Sequence, residues 1–170
     1  HVHRQDIPAA RSWQGYADAL GVSDAVRPAL LQKLEREFHY APRPDAIPYD
    51  DGATWDLGGV RVRAVHLPGH TAGHCALLIE PHGIAFIGDI DLTGFGPYYG
   101  DGTSSLADFR RTLREVAELD ARVWVTSHHR GVLTDRAQFL HHLAAFTARI
   151  DERGDKILGY LADGPQTLAQ

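Results

Sequence analysis

The chain predicts a layered α/β fold, and three features of its sequence predict it. Apolar residues recur at helical spacing at Leu30, Leu31, Leu34 and Phe38, and again at Phe139, Leu140, Leu143, Phe146 and Ile150. From Ala53 to Ile90, short runs rich in Val, Ile and Leu are separated by Gly58-Gly59, Gly69, Gly73 and Pro81-His82-Gly83, the pattern of hairpins and neighbouring strands. A further helix and strand then alternate, so the order helix, helix, strands, helix, strand, helix calls for layers of helix and sheet.

Each element has a local reason. His1 to Gln5 reads as a short strand. Asp6-Ile7-Pro8 supplies an acidic cap and a first-turn proline for a helix through Leu20, which Gly21 ends. Ser23 or Asp24 caps the next helix, and Pro42 and Pro44 stop it. Ser105-Leu106-Ala107-Asp108 has the form of a capping box, opening a helix over Leu106 to Leu119 whose apolar stripe is Leu106, Phe109, Leu113 and Val116. Val123-Trp124-Val125-Thr126 is a buried strand, and Thr134 or Asp135 opens the last long helix.

With 170 residues, 44% of them hydrophobic, the chain supports one core, and no linker or repeat divides it. The expected organisation is one domain over 1–170: a helical segment at 1–50, a strand-rich core at 53–134 and a terminal helix at 135–163. A net charge of -5 without a Lys/Arg cluster argues against nucleic acid or an anionic membrane as partner, and for a small molecule. The single cysteine, Cys75, forms no internal disulfide; entering the apolar run Ala76 to Ile79, it reads as a small buried side chain. With no cationic apolar leader and no membrane-length run, a cytoplasmic location is the default expectation, and homo-oligomerisation is left open. The absence of methionine and the final Gly164-to-Gln170 stretch, a turn leading into a helix start, suggest an incomplete N-terminus and a cut at both ends.

Three apolar runs end on side chains able to hold a metal. Leu67-Pro68-Gly69-His70-Thr71-Ala72-Gly73-His74 follows the first, Gly88-Asp89 the second and Thr126-Ser127-His128-His129 the third. Imidazole nitrogen and carboxylate oxygen suit Zn²⁺ or a neighbour such as Fe or Mn. Strand ends fix the backbone while their loops leave one side open to substrate.

These segments, in this order, resemble the second half of the metallo-β-lactamase superfamily, with the flavour of glyoxalase II-like hydrolases. The resemblance, which covers Trp55 to Thr134, implies an αββα sandwich with a dinuclear metal site at one edge, zinc in the first instance. It implies that His70 ligates one metal, that Asp89 bridges both and holds the attacking water as the catalytic carboxylate, and that His128 ligates the second. His74 becomes a supporting or structural histidine, His129 the competitor of His128, and Asp91 a supporting group or a turn cap. The family's His-x-His-x-Asp-His signature is missing: in His1-Val2-His3-Arg4-Gln5-Asp6 the aspartate comes one residue late, and Ile7 stands where histidine is needed. That segment reads instead as a strand entering a helix, which leaves each implied metal with too few protein ligands for tight binding. His39, His66, His82, His141 and His142 read as structural or solvated, and Tyr98 and Tyr99 in the glycine-rich loop after Asp91 as substrate-binding candidates.

The implied function is metal-dependent hydrolysis of a thioester, lactone or similar acyl substrate by metal-bound hydroxide. The alternatives are an iron-dependent oxidoreductase of the same superfamily and a metal-free interaction or structural fragment.

Overall fold

The computed structural model describes residues 1–162, 164, 165 and 167. Apart from Thr167, the helix start expected after Pro165 falls on positions outside the described residues, as does the last residue of the 135–163 helix. β1 (Val2–His3) leads through one 3-10 turn into α1 (Ile7–Arg11). The helix expected to continue to Leu20 is broken at Ser12, whose extended backbone (φ -152°, ψ 151°) and side chain, accepting from Gly15 N–H at 2.9 Å, start a separate α2 (Trp13–Leu20). A serine that caps locally competes with helix continuation, and periodicity does not register that competition. α3 (Arg27–Phe38) is not capped by the side chain of Ser23 or Asp24; Pro28 lies in its first turn, and the Ser23 carbonyl accepts from Val26 and Arg27 N–H at 3.0 and 3.2 Å.

β2 (Pro48–Tyr49) pairs in parallel with β1. The main sheet places β3 (Thr54–Asp56), β4 (Arg61–His66), β5 (Cys75–Glu80), β6 (Ile84–Phe86), β7 (Val123–Val125) and β8 (Val132–Leu133) side by side in chain order. All neighbours are antiparallel except β6 and β7, which are parallel and joined through α4 (Leu106–Ala117). Two antiparallel steps from β4 to β6 and one parallel step to β7 leave these three strands running the same way, so their C-terminal ends share one edge.

Strand alternation decides the two faces. Ala76, Leu78, Ala85, Trp124 and Leu133 share one face and are buried beneath α4 and α5 (Arg136–Leu161) with Phe109, Val116, Phe139 and Phe146. Trp124 stacks on Phe139 with ring centres 4.4 Å apart and planes 6° from parallel. α4 and α5 start as the sequence suggests: Ser105 Oγ accepts from Asp108 N–H at 3.2 Å and Asp135 Oδ1 from Gln138 N–H at 2.7 Å. The opposite face bears Trp55, Val62, Leu77 and Phe86, half-buried, and β1–β2 lies against it through His1–Trp55 and Tyr49–Trp55 ring contacts of 5.5 and 5.0 Å. Among the described residues no helix is long and apolar enough to cross a membrane.

Because Phe139 is fully buried against Trp124, Phe139→Ala is expected to lower unfolding free energy by about 3–5 kcal/mol, measured by chemical denaturation.

Candidate metal centre

The loops that leave β4, β6 and β7 at the shared edge carry His70, Asp89 and His128, and the fold brings the three together. Asp89 Oδ2 lies 3.4 Å from His70 Nε2 and Asp89 Oδ1 2.7 Å from His128 Nε2. His70 and Asp89 are largely covered, with side chains 20% and 32% exposed, whereas His128, at 56%, is the donor open to solvent. Ser127 N–H donates to the Gly88 carbonyl at 3.0 Å and so sets the His128 loop beside the Asp89 loop.

His70 is oriented from behind. Its Nδ1 lies 3.1 Å from the Tyr98 carbonyl; a carbonyl only accepts, so Nδ1 carries the hydrogen and Nε2 turns its lone pair toward Asp89. Lone pair and carboxylate oxygen at 3.4 Å repel unless a proton or a cation is shared between them, and a backbone carbonyl behind an imidazole is how metal-binding histidines are held. α4 and the two residues before it fix the same turn: Ser104 Oγ donates to His70 O at 2.6 Å, Ser105 N–H to Gly69 O at 3.0 Å and Thr112 Oγ1 to Pro68 O at 2.7 Å.

His74 ties two motifs into one object. Its Nδ1 donates to Leu67 O at 2.8 Å and its Nε2 accepts from Asp89 N–H at 3.1 Å, which fixes the tautomer. Burial pushes this imidazole below its ordinary pKa, and the neutral form is the one both bonds require. The approach is possible because position 88 is glycine: φ is 56°, and a Cβ there would lie 2.5 Å from His74 Nε2.

Asp6 is the residue that sequence reasoning misplaced. Expected to cap α1, it makes no capping bond; instead it accepts from Thr71 Oγ1 at 2.7 Å and Gly73 N–H at 2.9 Å. Gly73 leaves the room for this, since a Cβ there would lie 2.7 Å from the carboxylate carbon. No local signal marks a partner 65 positions away. His66 adds a second brace, with Nε2 2.8 Å from Ala72 O and its ring stacked on His3 at 4.2 Å.

The remaining candidates are placed as follows. Asp91 Oδ1 accepts from Thr93 N–H and Oγ1 at 3.1 and 3.0 Å, closing a turn. The His129 ring lies 6.2 Å from that of His128. Tyr98 lends His70 its carbonyl, donates its hydroxyl to Asp101 at 3.0 Å and has its ring 6.0 Å from the His70 ring. Tyr99 sits under Arg153, 5.6 Å from ring centre to guanidinium, and Arg153 also donates to the Phe95 and Pro97 carbonyls, so α5 pins this aromatic loop. The His1 ring lies tilted against Trp55 and the His3 ring stacks on His66, and neither takes part in the trio.

The donors suit a metal ion in kind, one neutral nitrogen and one anionic oxygen on each side of Asp89. They pair as His70 with Asp89 and His128 with Asp89; among the described residues no three His, Cys, Asp or Glu side chains form a group able to hold a metal ion.

Two outcomes follow from the His74 bridge. Gly88→Ala is expected to cost about 1–3 kcal/mol in backbone strain, with loss of the His74–Asp89 contact, read by denaturation and by the His74 ring resonances. The native His74 pKa lies below the unfolded value of 6.5, so the unfolded chain binds the extra proton between the two. Stability contributed by neutral His74 is therefore present above 6.5 and lost as pH falls toward the native pKa; His74→Gln is expected to flatten that part of the stability–pH curve.

The family model of the metallo-beta-lactamase superfamily matches residues 7–128. An atrochrysone carboxyl ACP thioesterase from Paecilomyces divaricatus is 28% identical over 134 residues, 76% of this chain and 40% of the relative. One from Emericella nidulans is 32% identical over 113 residues, 64% of this chain and 34% of the relative. The chain thus spans about two-fifths or less of the length of these relatives. Among solved structures, a metallo-beta-lactamase family protein from Thermus thermophilus superposes with a TM-score of 0.69 at 27% identity, covering 98% of this chain and 56% of that one. A beta-lactamase domain protein from Burkholderia ambifaria gives 0.61 at 19% identity, covering 98% and 51%, a likeness of fold alone. With the family model matching well over half of its length, this chain belongs to the metallo-beta-lactamase superfamily.

Proposed function

We propose that this chain carries a metal-dependent hydrolytic centre acting on a small-molecule thioester. The observation that carries the reading is the Asp89 carboxylate, with each oxygen facing the Nε2 of an imidazole from a different loop. Relatives named as thioesterases support an acyl thioester as the substrate class.

His70 with Asp89 Oδ2, and Asp89 Oδ1 with His128, would hold the metals, zinc by donor preference. Bound there, a divalent ion would supply Lewis acidity toward the acyl carbonyl and acidify water. Asp89 then has the task of orienting the attacking water, since a carboxylate accepts its hydrogen bond and fixes its lone pair toward the acyl carbon. The Tyr98 carbonyl and Ser104 hydroxyl keep His70 in place during turnover, so no reorganisation of that side chain is needed. The balance is simple: water adds to the acyl carbon, the C–S bond breaks, and the proton released goes to the departing thiolate, giving acid and thiol.

With Zn²⁺ supplied, the full chain is expected to release thiol from N-acetylcysteamine thioesters, and a chelator to abolish that release. Asp89→Asn is expected to lower kcat about 10²-fold or more with little change in fold. No thiol release with zinc, manganese or iron, or an Asp89→Asn variant equal to the parent, would sink this reading.

A further inference from the structure

A cavity of about 310 Å³ lies beside the donor trio, and none of the expected substrate-binding residues lines it. His70 and Thr71 form one wall, α1 and α2 the other through Ala9, Ala10 and Ala19, and Tyr16 and Tyr40 complete the lining. The space exists because small side chains face it: three alanines stand where larger residues would fill the gap. Tyr16 and Tyr40 lie 4.7 Å apart between ring centres and offer flat apolar surface, with the Tyr40 hydroxyl already donating to Ala9 O at 2.6 Å.

Charge narrows the occupant. The carboxylates on the lining are Asp6, bound to Thr71 and Gly73, and Asp101, bound to the Tyr98 hydroxyl; among the described residues no Lys or Arg lines it. An anionic tail would meet two carboxylates and no cation. The walls are also tied to the donor turn: Thr103 N–H donates to Ala19 O at 3.1 Å, Asp101 N–H to Ser104 Oγ at 3.2 Å, and Ser104 Oγ to His70 O at 2.6 Å. Helix α2 and His70 therefore hold a fixed spacing, as a preformed small-molecule site requires.

We infer that this cavity is the acyl pocket of the hydrolase, taking a neutral, apolar or aromatic acyl group whose carbonyl end is presented at His70. The inference rests on the thioesterase reading for its chemistry and on the cavity for its selectivity. Specificity is set by Ala10 and Ala19, which face the acyl group, rather than by Tyr98 and Tyr99.

The test uses the full chain with benzoyl, succinyl and acetyl thioesters of N-acetylcysteamine, and benzamide as a neutral, non-reacting probe. The parent is expected to prefer benzoyl over succinyl, and Ala19→Leu and, separately, Ala10→Leu to lower the benzoyl-to-acetyl ratio of kcat/KM about tenfold or more. Benzamide is expected to shift the methyl resonances of Ala9, Ala10 and Ala19 in the parent and to lose affinity in both variants. Benzamide binding that both leucine variants abolish, in a chain that cleaves no thioester, would uphold the pocket and sink the hydrolase reading alone. Benzamide binding unaffected by both substitutions in folded protein, or a preference for succinyl over benzoyl, would overturn the pocket.

Discussion

The buried imidazole of His74 is the joint on which the site depends. It accepts from Asp89 N–H with one nitrogen and donates to Leu67 O with the other, so the turn after β4 and the turn after β6 cannot move independently. In a buried setting such bonds are worth keeping, because an unpartnered donor or acceptor there would cost about 1–3 kcal/mol. The same bonds demand glycine at 88 and a neutral ring at 74, which accounts for the pairing of Gly88-Asp89 with the histidine-bearing turn.

Around that joint, positioning falls mainly to main-chain and hydroxyl groups rather than to ion pairs. The Tyr98 carbonyl sets the His70 tautomer, Ser104 and Thr112 hold the turn to α4, and Asp6 reaches across from the first turn of the chain to Thr71 and Gly73. Each contact is local to the edge where β4, β6 and β7 end, and each is insensitive to salt in a way surface charge pairs are not. His70 is thus fixed by the fold itself, the condition that lowers the reorganisation cost at a reactive site.

The donors divide into covered and open ones. His70 is held by the Tyr98 carbonyl, the Ser104 hydroxyl and Asp89, while His128 projects from a loop into solvent, so the trio is open on the His128 side. The alanine-lined cavity meets the trio at His70 and has α1 and α2 as its other wall. One imidazole therefore belongs to both the donor trio and the neighbouring cavity.

The sequence by itself determined much of this: the layered α/β class, the caps at Ser105 and Asp135, and the three donor-bearing loops at strand ends are all written in residue type and period. These are short-range properties, set by caps, turns and alternation. It did not determine the break at Ser12, the use of Asp6 as an anchor 65 residues from its partner, or the Tyr98 carbonyl behind His70. Those were decided by tertiary structure, because a side chain that can cap a helix or brace a distant turn satisfies its hydrogen bonds wherever folding brings a partner, and local pattern carries no record of that choice.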